Sequence, residues 1–172
     1  SIKLKELDNI KTDLKISVHL MVEDPAGYLE DCKKYGVDRV VFHYESNCVH
    51  RKILDKLNDL ELETGIALRP ETPLDNILPF IDRVNVILLM GVNPGYGGQE
   101  FMELTFSRIK ELAILAPDTH IYVDGGVKLD NIEEINRAGA TGFIVGSEIF
   151  AAEDAENVIK KLEEKMNQHG EK

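Results

Sequence analysis

The sequence predicts an α/β protein built on a parallel sheet, and three features of its pattern support that fold class. Short runs rich in β-branched residues alternate with stretches of helical spacing. Successive runs start 19 to 36 residues apart, which leaves room for a crossover helix between parallel strands. The run from Val84 to Met90 is apolar at nearly every position, as expected for a strand covered on both faces.

Six strands are predicted, and the turn residues between them indicate helices in the intervals. The strands are 16–22, 39–45, 65–69, 84–90, 120–124 and 142–146. Asp24-Pro25 and Thr72-Pro73 are typical helix starts, with a capping side chain followed by proline in the first turn. Gly36 and Gly139 are typical helix ends, because glycine readily adopts the left-handed conformation that closes a helix.

The composition is that of one soluble domain. The chain has 172 residues, of which 43% are hydrophobic and 30% charged, with a net charge of −11. An acidic chain without a basic stripe predicts no nucleic-acid partner, and no apolar run is long enough to predict a membrane span. Without a secretory leader or a CxxC spacing, Cys32 and Cys48 are expected to be free thiols of a cytoplasmic protein.

Glycine-rich segments follow the last three predicted strands. They lie at 91–101, at 124–126 and at 146–147. Glycine lets backbone N–H groups approach an anion closely, so loops of this kind favour a phosphate site. Barrels of the (β/α)₈ type commonly bind phosphate after their seventh and eighth strands, whereas a dinucleotide fold carries its glycines after the first. The pattern therefore favours a TIM barrel over an open doubly wound sheet.

Two polar side chains near predicted strand ends could carry chemistry. Asp124 ends its strand at the face where barrel enzymes keep their catalytic groups, and it could ligate a metal, act as a general base or cap a helix. His19 lies in an apolar strand, where a lone histidine is more often a hydrogen-bonded core residue. Together the two side chains suggest a metal site, although two ligands are too few for a closed one.

Four other side chains near strand ends have simpler interpretations. Met21 and Met90 are most simply core residues. His43 and Glu45 share one face of their strand, where a salt bridge or a polar layer inside the barrel is expected. Arg69 could meet either Glu45 or an anionic ligand.

Several of these segments resemble the ribulose-phosphate 3-epimerase family. The segments are His-Leu-Met-Val at 19–22, His-Tyr-Glu at 43–45, Gly-Ile-Ala-Leu-Arg-Pro at 65–70, Val-Asn-Pro-Gly-Tyr-Gly-Gly-Gln at 92–99, Val-Asp-Gly-Gly-Val at 123–127 and Gly-Ser at 146–147. They occur in the family's order over about residues 1 to 152. The resemblance implies a (β/α)₈ TIM barrel of the ribulose-phosphate-binding type that interconverts D-ribulose 5-phosphate and D-xylulose 5-phosphate.

The resemblance also implies the roles of individual residues. Two carboxylates exchange the C3 proton, and one divalent metal ion (zinc, iron, manganese or cobalt) stabilises the oxyanion. Asp124 would be one of these carboxylates and a metal ligand, and His19 a second ligand that also contacts the substrate. Met21 and Met90 would pack against the enediolate. The phosphate and the sugar chain would be held by Gly95, Tyr96, Gly97, Gly98, Gly125, Gly126, Gly146 and Ser147.

The family pattern also has two earlier strands, the second of which carries a His-x-Asp-x-Met-Asp-Gly segment that residues 1–15 do not contain. Residues 1–172 are therefore expected to form strands 3 to 8 of the barrel as a single domain. By proportion to a typical barrel, roughly 40–50 further residues would precede Ser1 and supply the other aspartate and two more metal ligands. The alternative is a truncated chain, which would be inactive or would depend on a partner chain to complete the sheet.

Two alternatives stay open. One is a related ketose-phosphate epimerase, such as one acting on D-allulose 6-phosphate, because Arg69 and Gly91 depart from the residues common in the family. The other is a catalytically incomplete relative that only binds phosphate. In the first case, as for the leading interpretation, a phosphorylated ketose is the expected partner, and a homo-oligomer is a further possibility.

Overall fold

Six parallel strands alternate with helices in the computed structural model of the chain, which describes residues 3–93, 95 and 99–167. The strands are β1 Ser17–Leu20, β2 Arg39–His43, β3 Glu63–Leu68, β4 Val86–Met90, β5 His120–Asp124 and β6 Gly142–Ile144. The α-helices are α1 Leu29–Lys34, α2 His50–Asp59, α3 Leu104–Leu115, α4 Ile132–Ala138, α5 Ser147–Phe150 and α6 Ala155–Asn167. 3₁₀ helices cover Leu4–Asn9, Ala26–Tyr28 and Leu74–Arg83.

All six predicted strands are present, and five of them end earlier or start later than the sequence pattern indicates. Met21, Val22, Tyr44 and Glu45 continue the apolar or alternating pattern but lie beyond the paired residues of β1 and β2. These residues leave the sheet because they build the loops at the carboxyl ends of the strands. The apolar pattern therefore continues past the last paired residue of each strand, although these four side chains are exposed or only partly buried.

Strand order distinguishes a barrel from an open doubly wound sheet. Each strand pairs in parallel with the next strand along the chain, in the order β1-β2-β3-β4-β5-β6. A doubly wound sheet reverses its order at a switch point, whereas a barrel winds in one direction. The observed order is that of a barrel, and the six strands form a curled part of one.

The sheet is strongly curled, as contacts between distant strands show. His19 on β1 and Asp124 on β5 approach to 3.1 Å, and Arg39 on β2 lies 3.0 Å from the hydroxyl of Tyr122 on β5. In a flat sheet, β1 and β5 would stand about 19 Å apart, because neighbouring strands are spaced by about 4.8 Å. The side chains that meet across this gap therefore point into the hollow of the curl.

Apolar side chains cover both faces of the strands. Phe42, Ile66 and Leu89 are fully buried between the sheet and the surrounding helices. The inner face carries a smaller apolar cluster of Val41, Ala67, Leu88 and Met90. This two-sided burial explains why β4 is apolar at every position.

A polar layer closes the hollow at the amino ends of the strands. The Arg39 side chain donates hydrogen bonds to Glu63 and, at 3.0 Å, to the hydroxyl of Tyr122. Its guanidinium also lies over the Tyr122 ring, 5.1 Å from the ring centre. The ring occupies the space beside Gly142, where an added Cβ would lie 2.3 Å from a ring carbon. Gly142 is therefore a packing requirement of this layer.

The predicted helix ends are confirmed, and one predicted helix start is corrected. Gly36 follows α1 with φ 72° and Gly139 closes α4 with φ 117°. The Asp24 carboxylate accepts a hydrogen bond from the N–H of Ala26 at 3.0 Å, where a 3₁₀ turn leads into α1. Thr72 does not cap the helix after it: its hydroxyl donates to Glu45, and the segment that follows is a 3₁₀ helix interrupted by Pro79.

The two cysteines are free thiols, as predicted. Burial, with a smaller contribution from the neighbouring Asp31, raises the pKa of the Cys32 thiol to about 11, so this group is an unreactive part of the core. In the described part of the chain, no helix has both the length and the hydropathy that spanning a bilayer would need.

Replacing Gly142 by Ala is expected to lower the free energy of unfolding by about 2 kcal/mol, because the new methyl group overlaps the Tyr122 ring. Equilibrium urea denaturation followed by circular dichroism measures this change. Gly27→Ala is the matched control, since an added Cβ there meets no described atom within 4 Å. Equal stability of the two variants would show that the ring at Tyr122 moves aside freely.

Candidate active site

The side chains that the sequence indicated as candidates lie at the carboxyl ends of the strands, on the inner face of the curled sheet. Asp124 is the last residue of β5, His43 the last of β2 and Met90 the last of β4. His19 lies one residue before the end of β1. Parallel strands bring these positions to one edge, and the curl of the sheet turns them toward one another.

The two predicted metal ligands lie side by side. His19 Nδ1 is 3.1 Å from Asp124 Oδ2, and the two side chains are 16% and 18% exposed. An imidazole nitrogen and a carboxylate oxygen are both good ligands for divalent first-row metals. In the residues that the structure describes, no group of three or more His, Cys, Asp or Glu side chains has the arrangement of a metal site. The pair is thus half of a possible metal site.

A hydrogen-bonded chain extends from this pair to Glu45. His19 Nε2 lies 2.9 Å from His43 Nε2, and His43 Nδ1 lies 3.2 Å from Glu45 Oε2. The other carboxylate oxygen, Glu45 Oε1, accepts hydrogen bonds from the Thr72 hydroxyl and, at 3.0 Å, from the backbone N–H of Arg69. Four side chains from three strand ends therefore form one continuous contact path.

The sequence predicted the His43–Glu45 contact but not its connection to His19. That connection depends on register: His19 is paired with Val41, so His43 lies two residues further along the neighbouring strand and on the same face. Once β1 and β2 are recognised as adjacent, the alternation of Val41, His43 and Glu45 indicates that His43 can contact His19. A single sequence does not supply the register that turns this signal into a contact.

Glu45 is held in its ionised form. Burial alone would raise the pKa of its carboxyl group, but hydrogen bonds from His43, Thr72 and the backbone of Arg69 lower it from 4.5 to about 2. At neutral pH the group only accepts hydrogen bonds, and a carboxylate with so low a pKa is a poor general base. Of the two carboxylates on this path, Glu45 is therefore the one committed to holding its neighbours by hydrogen bonds.

The two methionines occupy different environments. Met90 is 3% exposed and packs in the inner apolar cluster with Leu88 and Ala67. Met21 is 55% exposed and borders the cavity at the carboxyl edge, so its interpretation as a core residue is wrong. Its position at the rim leaves its thioether free to contact a molecule in that cavity.

Three glycines near Asp124 are explained by contacts between loops. A Cβ on Gly91 would lie 2.4 Å from the carbonyl oxygen of Gly125, and a Cβ on Gly125 would lie 2.4 Å from Val92. Gly126 has φ 70°, and its Cβ would lie 2.9 Å from the backbone nitrogen of Phe101. The close packing of the loops after β4 and β5 requires these glycines even without a ligand.

The remaining residues of the predicted phosphate site differ from those three. At Gly95 and Gly146, an added Cβ would meet no described atom within 4 Å. Gly146 precedes α5, and the exposed Ser147 is the first residue of that helix. Tyr96, Gly97 and Gly98 lie outside the described residues.

A cavity of about 600 Å³ lies beside His43 at the carboxyl edge of the sheet. Its wall includes Met21, Glu45, Arg69 and Gly95. Its volume is in the range of small-molecule sites. Arg69 was expected to meet either Glu45 or an anionic ligand. Its backbone N–H donates a hydrogen bond to Glu45, while its side chain is exposed. This guanidinium places a positive charge beside the cavity.

Comparison with known proteins gives one consistent family. Residues 1–150 match the model of the ribulose-phosphate 3 epimerase family. A ribulose-phosphate 3-epimerase of Buchnera aphidicola (subsp. Schizaphis graminum) is 35% identical over 95% of this chain and 73% of its own length. The Schizosaccharomyces pombe protein of that name is 34% identical over 88% of this chain and 67% of its own length. The Escherichia coli K12 protein is 35% identical over 95% of this chain and 74% of its own length.

Solved structures with lower identity share the fold. KGPDC from Streptococcus mutans has a TM-score of 0.72 at 15% identity, covering 91% of this chain and 73% of that one. The 3-hexulose-6-phosphate synthase of Salmonella typhimurium has a TM-score of 0.73 at 13% identity, covering 90% and 74%. These likenesses support the barrel-type architecture.

Replacing Glu45 by Gln is expected to cost about 2 to 3 kcal/mol of unfolding free energy at neutral pH, after allowance for partial solvent screening. The folded-state pKa is depressed from 4.5 to about 2, so this stability is present above pH 4.5 and is lost as the pH falls toward 2. Urea denaturation of both proteins across this pH range measures the difference. Glu153→Gln, at an exposed acid, is the control. A wild-type advantage that stays constant between these pH values would contradict the assignment.

Proposed function

The chain belongs to the ribulose-phosphate 3-epimerase family, and on this basis we propose that it interconverts D-ribulose 5-phosphate and D-xylulose 5-phosphate. The observation that carries the proposal is the placement of Asp124 3.1 Å from His19 at the carboxyl edge of the sheet, where His19 contacts His43, a residue that lines the cavity. Epimerisation at C3 requires a base that removes a proton beside a carbonyl group. Asp124 is the carboxylate in this layer that is suited to that step.

In this proposal Asp124 removes the C3 proton, and the C2 oxygen gains negative charge as the proton leaves. His19 and Asp124 would hold a divalent metal (zinc, iron, manganese or cobalt), which supplies a fixed positive charge beside that oxygen. The pair suits such an ion, because its nitrogen and oxygen donors face each other in a partly buried site. Met90 and Met21 would pack against the flat intermediate and keep water from it.

Inversion at C3 also requires an acid on the opposite face of the sugar. Glu45 is unsuited to this role, since its two oxygens are already engaged and its carboxyl group has a pKa of about 2. The resemblance implies that this acid is one of the aspartates of the family's His-x-Asp-x-Met-Asp-Gly segment, which residues 1–15 do not contain.

The phosphate group would bind at the loops after β4, β5 and β6. Gly95, Gly146 and Ser147 support this placement, because space is open beside both glycines. Gly125 and Gly126 would contribute backbone N–H groups from a loop that is held rigid by its packing on Val92 and Phe101. Tyr96, Gly97 and Gly98 belong to the same proposed site.

The proposal is tested by incubating the intact protein with a divalent metal and D-ribulose 5-phosphate in D₂O. Deuterium is expected at C3, detected by NMR of the recovered sugar phosphates. D-Allulose 6-phosphate is assayed in parallel, and faster exchange with that sugar would assign the alternative substrate. The absence of exchange with either compound would refute an epimerase function.

Asp124→Asn is expected to lower the exchange rate by about 10²- to 10⁴-fold, because the amide cannot accept the C3 proton. Asp130→Asn is the control, since Asp130 is an exposed acid a few residues further along the chain. Exchange that survives in Asp124→Asn at the control rate would remove this residue from the proposed mechanism.

Gly146→Ala is expected to raise KM for the phosphorylated ketose about tenfold, which corresponds to roughly 1.4 kcal/mol of binding free energy. The methyl group meets no described protein atom within 4 Å, so its effect falls on the ligand. Gly126→Ala is the contrasting variant: its Cβ overlaps Phe101, and it should destabilise the protein without any ligand. Steady-state kinetics and urea denaturation of both variants separate the two effects. An unchanged KM in Gly146→Ala would exclude Gly146 from the phosphate site.

A further inference from the structure

Four side chains form an unbroken path from a fixed anion to the proposed metal site. Glu45 Oε2 lies 3.2 Å from His43 Nδ1, His43 Nε2 lies 2.9 Å from His19 Nε2, and His19 Nδ1 lies 3.1 Å from Asp124 Oδ2. The two imidazole rings are nearly parallel, with an angle of 21° between their planes. Each ring nitrogen on the path faces another donor or acceptor, so the position of one proton limits the positions of the next.

The direction of the hydrogen bonds is set at the Glu45 end. This carboxylate is ionised, so it can only accept, and His43 Nδ1 must carry the proton between them. A neutral His43 then has its lone pair on Nε2. Because two nitrogens 2.9 Å apart need one proton between them, His19 Nε2 is the donor. A neutral His19 consequently has its lone pair on Nδ1.

At the other end of the path, this lone pair faces a carboxylate oxygen of Asp124. Two acceptors 3.1 Å apart repel each other unless a second proton on His19 or a bound metal cation lies between them. A divalent metal meets that requirement, since neutral imidazole and carboxylate are its ligands. Metal-binding histidines generally donate their other ring N–H to a partner that orients the ring.

We propose that Glu45 and His43 are positioning residues that hold His19 in the tautomer with its proton on Nε2 and thereby present Nδ1 to the metal. This inference rests on the proposed metal site and assigns a role to two residues outside it. Neither residue touches the reacting atoms. Glu45 sets the hydrogen-bond direction, and His43 transmits it across one strand.

Glu45→Gln tests the direction itself, because it should reverse every hydrogen bond on the path. The backbone N–H of Arg69 donates to Oε1 and needs an acceptor there, so it holds the amide oxygen of the new side chain at that position. The amide NH₂ group then faces His43 Nδ1, which must become the acceptor. The His43 proton moves to Nε2, and the His19 proton moves to Nδ1, where it points at Asp124 and blocks the metal.

The experiment has two readouts that do not use a sugar substrate. Nitrogen-15 NMR of the zinc-loaded intact protein assigns the protonated nitrogen of each ring, and isothermal titration with zinc measures affinity. In the wild type, the protons are expected on His43 Nδ1 and His19 Nε2. In Glu45→Gln, zinc affinity should fall about 10- to 100-fold, and the metal-free His19 should be protonated on Nδ1.

Thr72→Val is the matched control. It removes one hydrogen bond to Glu45 and lowers stability, but it leaves the carboxylate facing His43. Zinc affinity within about threefold of wild type is expected, because the hydrogen-bond direction is preserved. An equal loss of affinity in Thr72→Val and Glu45→Gln would show a merely structural role and overturn the inference.

Two further outcomes separate the inference from the proposed function. A proton on His19 Nδ1 in the zinc-loaded wild type would overturn the inference even if Glu45→Gln did not fold. Protons at the expected nitrogens together with normal zinc affinity would support it even if no ketose phosphate exchanged deuterium at C3. That last result would refute the epimerase function alone.

Discussion

The inward curl of the parallel sheet is the constraint on which the other features of the molecule depend. It brings β1 and β5 close enough for His19 to meet Asp124 and, at the other end of the hollow, for Arg39 on β2 to meet Tyr122. A curled sheet has less room on its inner face than on its outer one, so small residues are needed there. β3 carries Gly65, where an added Cβ would lie 2.8 Å from the Val41 side chain. The size of a side chain, as much as its polarity, therefore determines which residues each strand can carry on the inner face of the sheet.

The inner face is organised in three levels. Arg39, Glu63 and Tyr122 form a polar level at the amino ends, where every charge has a partner. The apolar cluster around Leu88 fills the middle. The histidine path lies at the carboxyl ends, open to the cavity. The lower two levels are closed by their own contacts, so chemistry is confined to the third, where the loops can change without disturbing the strands.

Sequence predicted the architecture well, because the alternation of strands and helices is a local pattern. It also placed Asp124 and His19 at the proper edge, since parallel strands share their direction. It was less accurate where tertiary contacts decide the outcome. Thr72 has the residue type and position of a helix cap, but its hydroxyl is used by Glu45, 27 residues away in sequence. The connection between His43 and His19 required the register of two strands, which a single sequence does not contain.

The glycines show a related limit of sequence reasoning. Flexibility toward an anion and tight packing against a neighbouring loop both call for a residue without a side chain, so composition does not distinguish them. The structure does so through the space around each Cβ: it is occupied at Gly91, Gly125 and Gly126 and open at Gly95 and Gly146. The first group explains how the loop after Asp124 is held rigid. That rigidity matters because a base must be positioned before it can act.

Two histidines between two carboxylates are also a reasonable solution to an electrostatic problem. A carboxylate placed directly against His19 would orient that ring, but it would bring a second negative charge close to Asp124. The His43 ring lies between Glu45 and His19 and so keeps this charge further away. Glu45 is meanwhile stabilised by hydrogen bonds from Thr72 and Arg69, away from the proposed metal site. The path thus orients the His19 ring without placing a second carboxylate against it, which a direct contact between His19 and a carboxylate could not do.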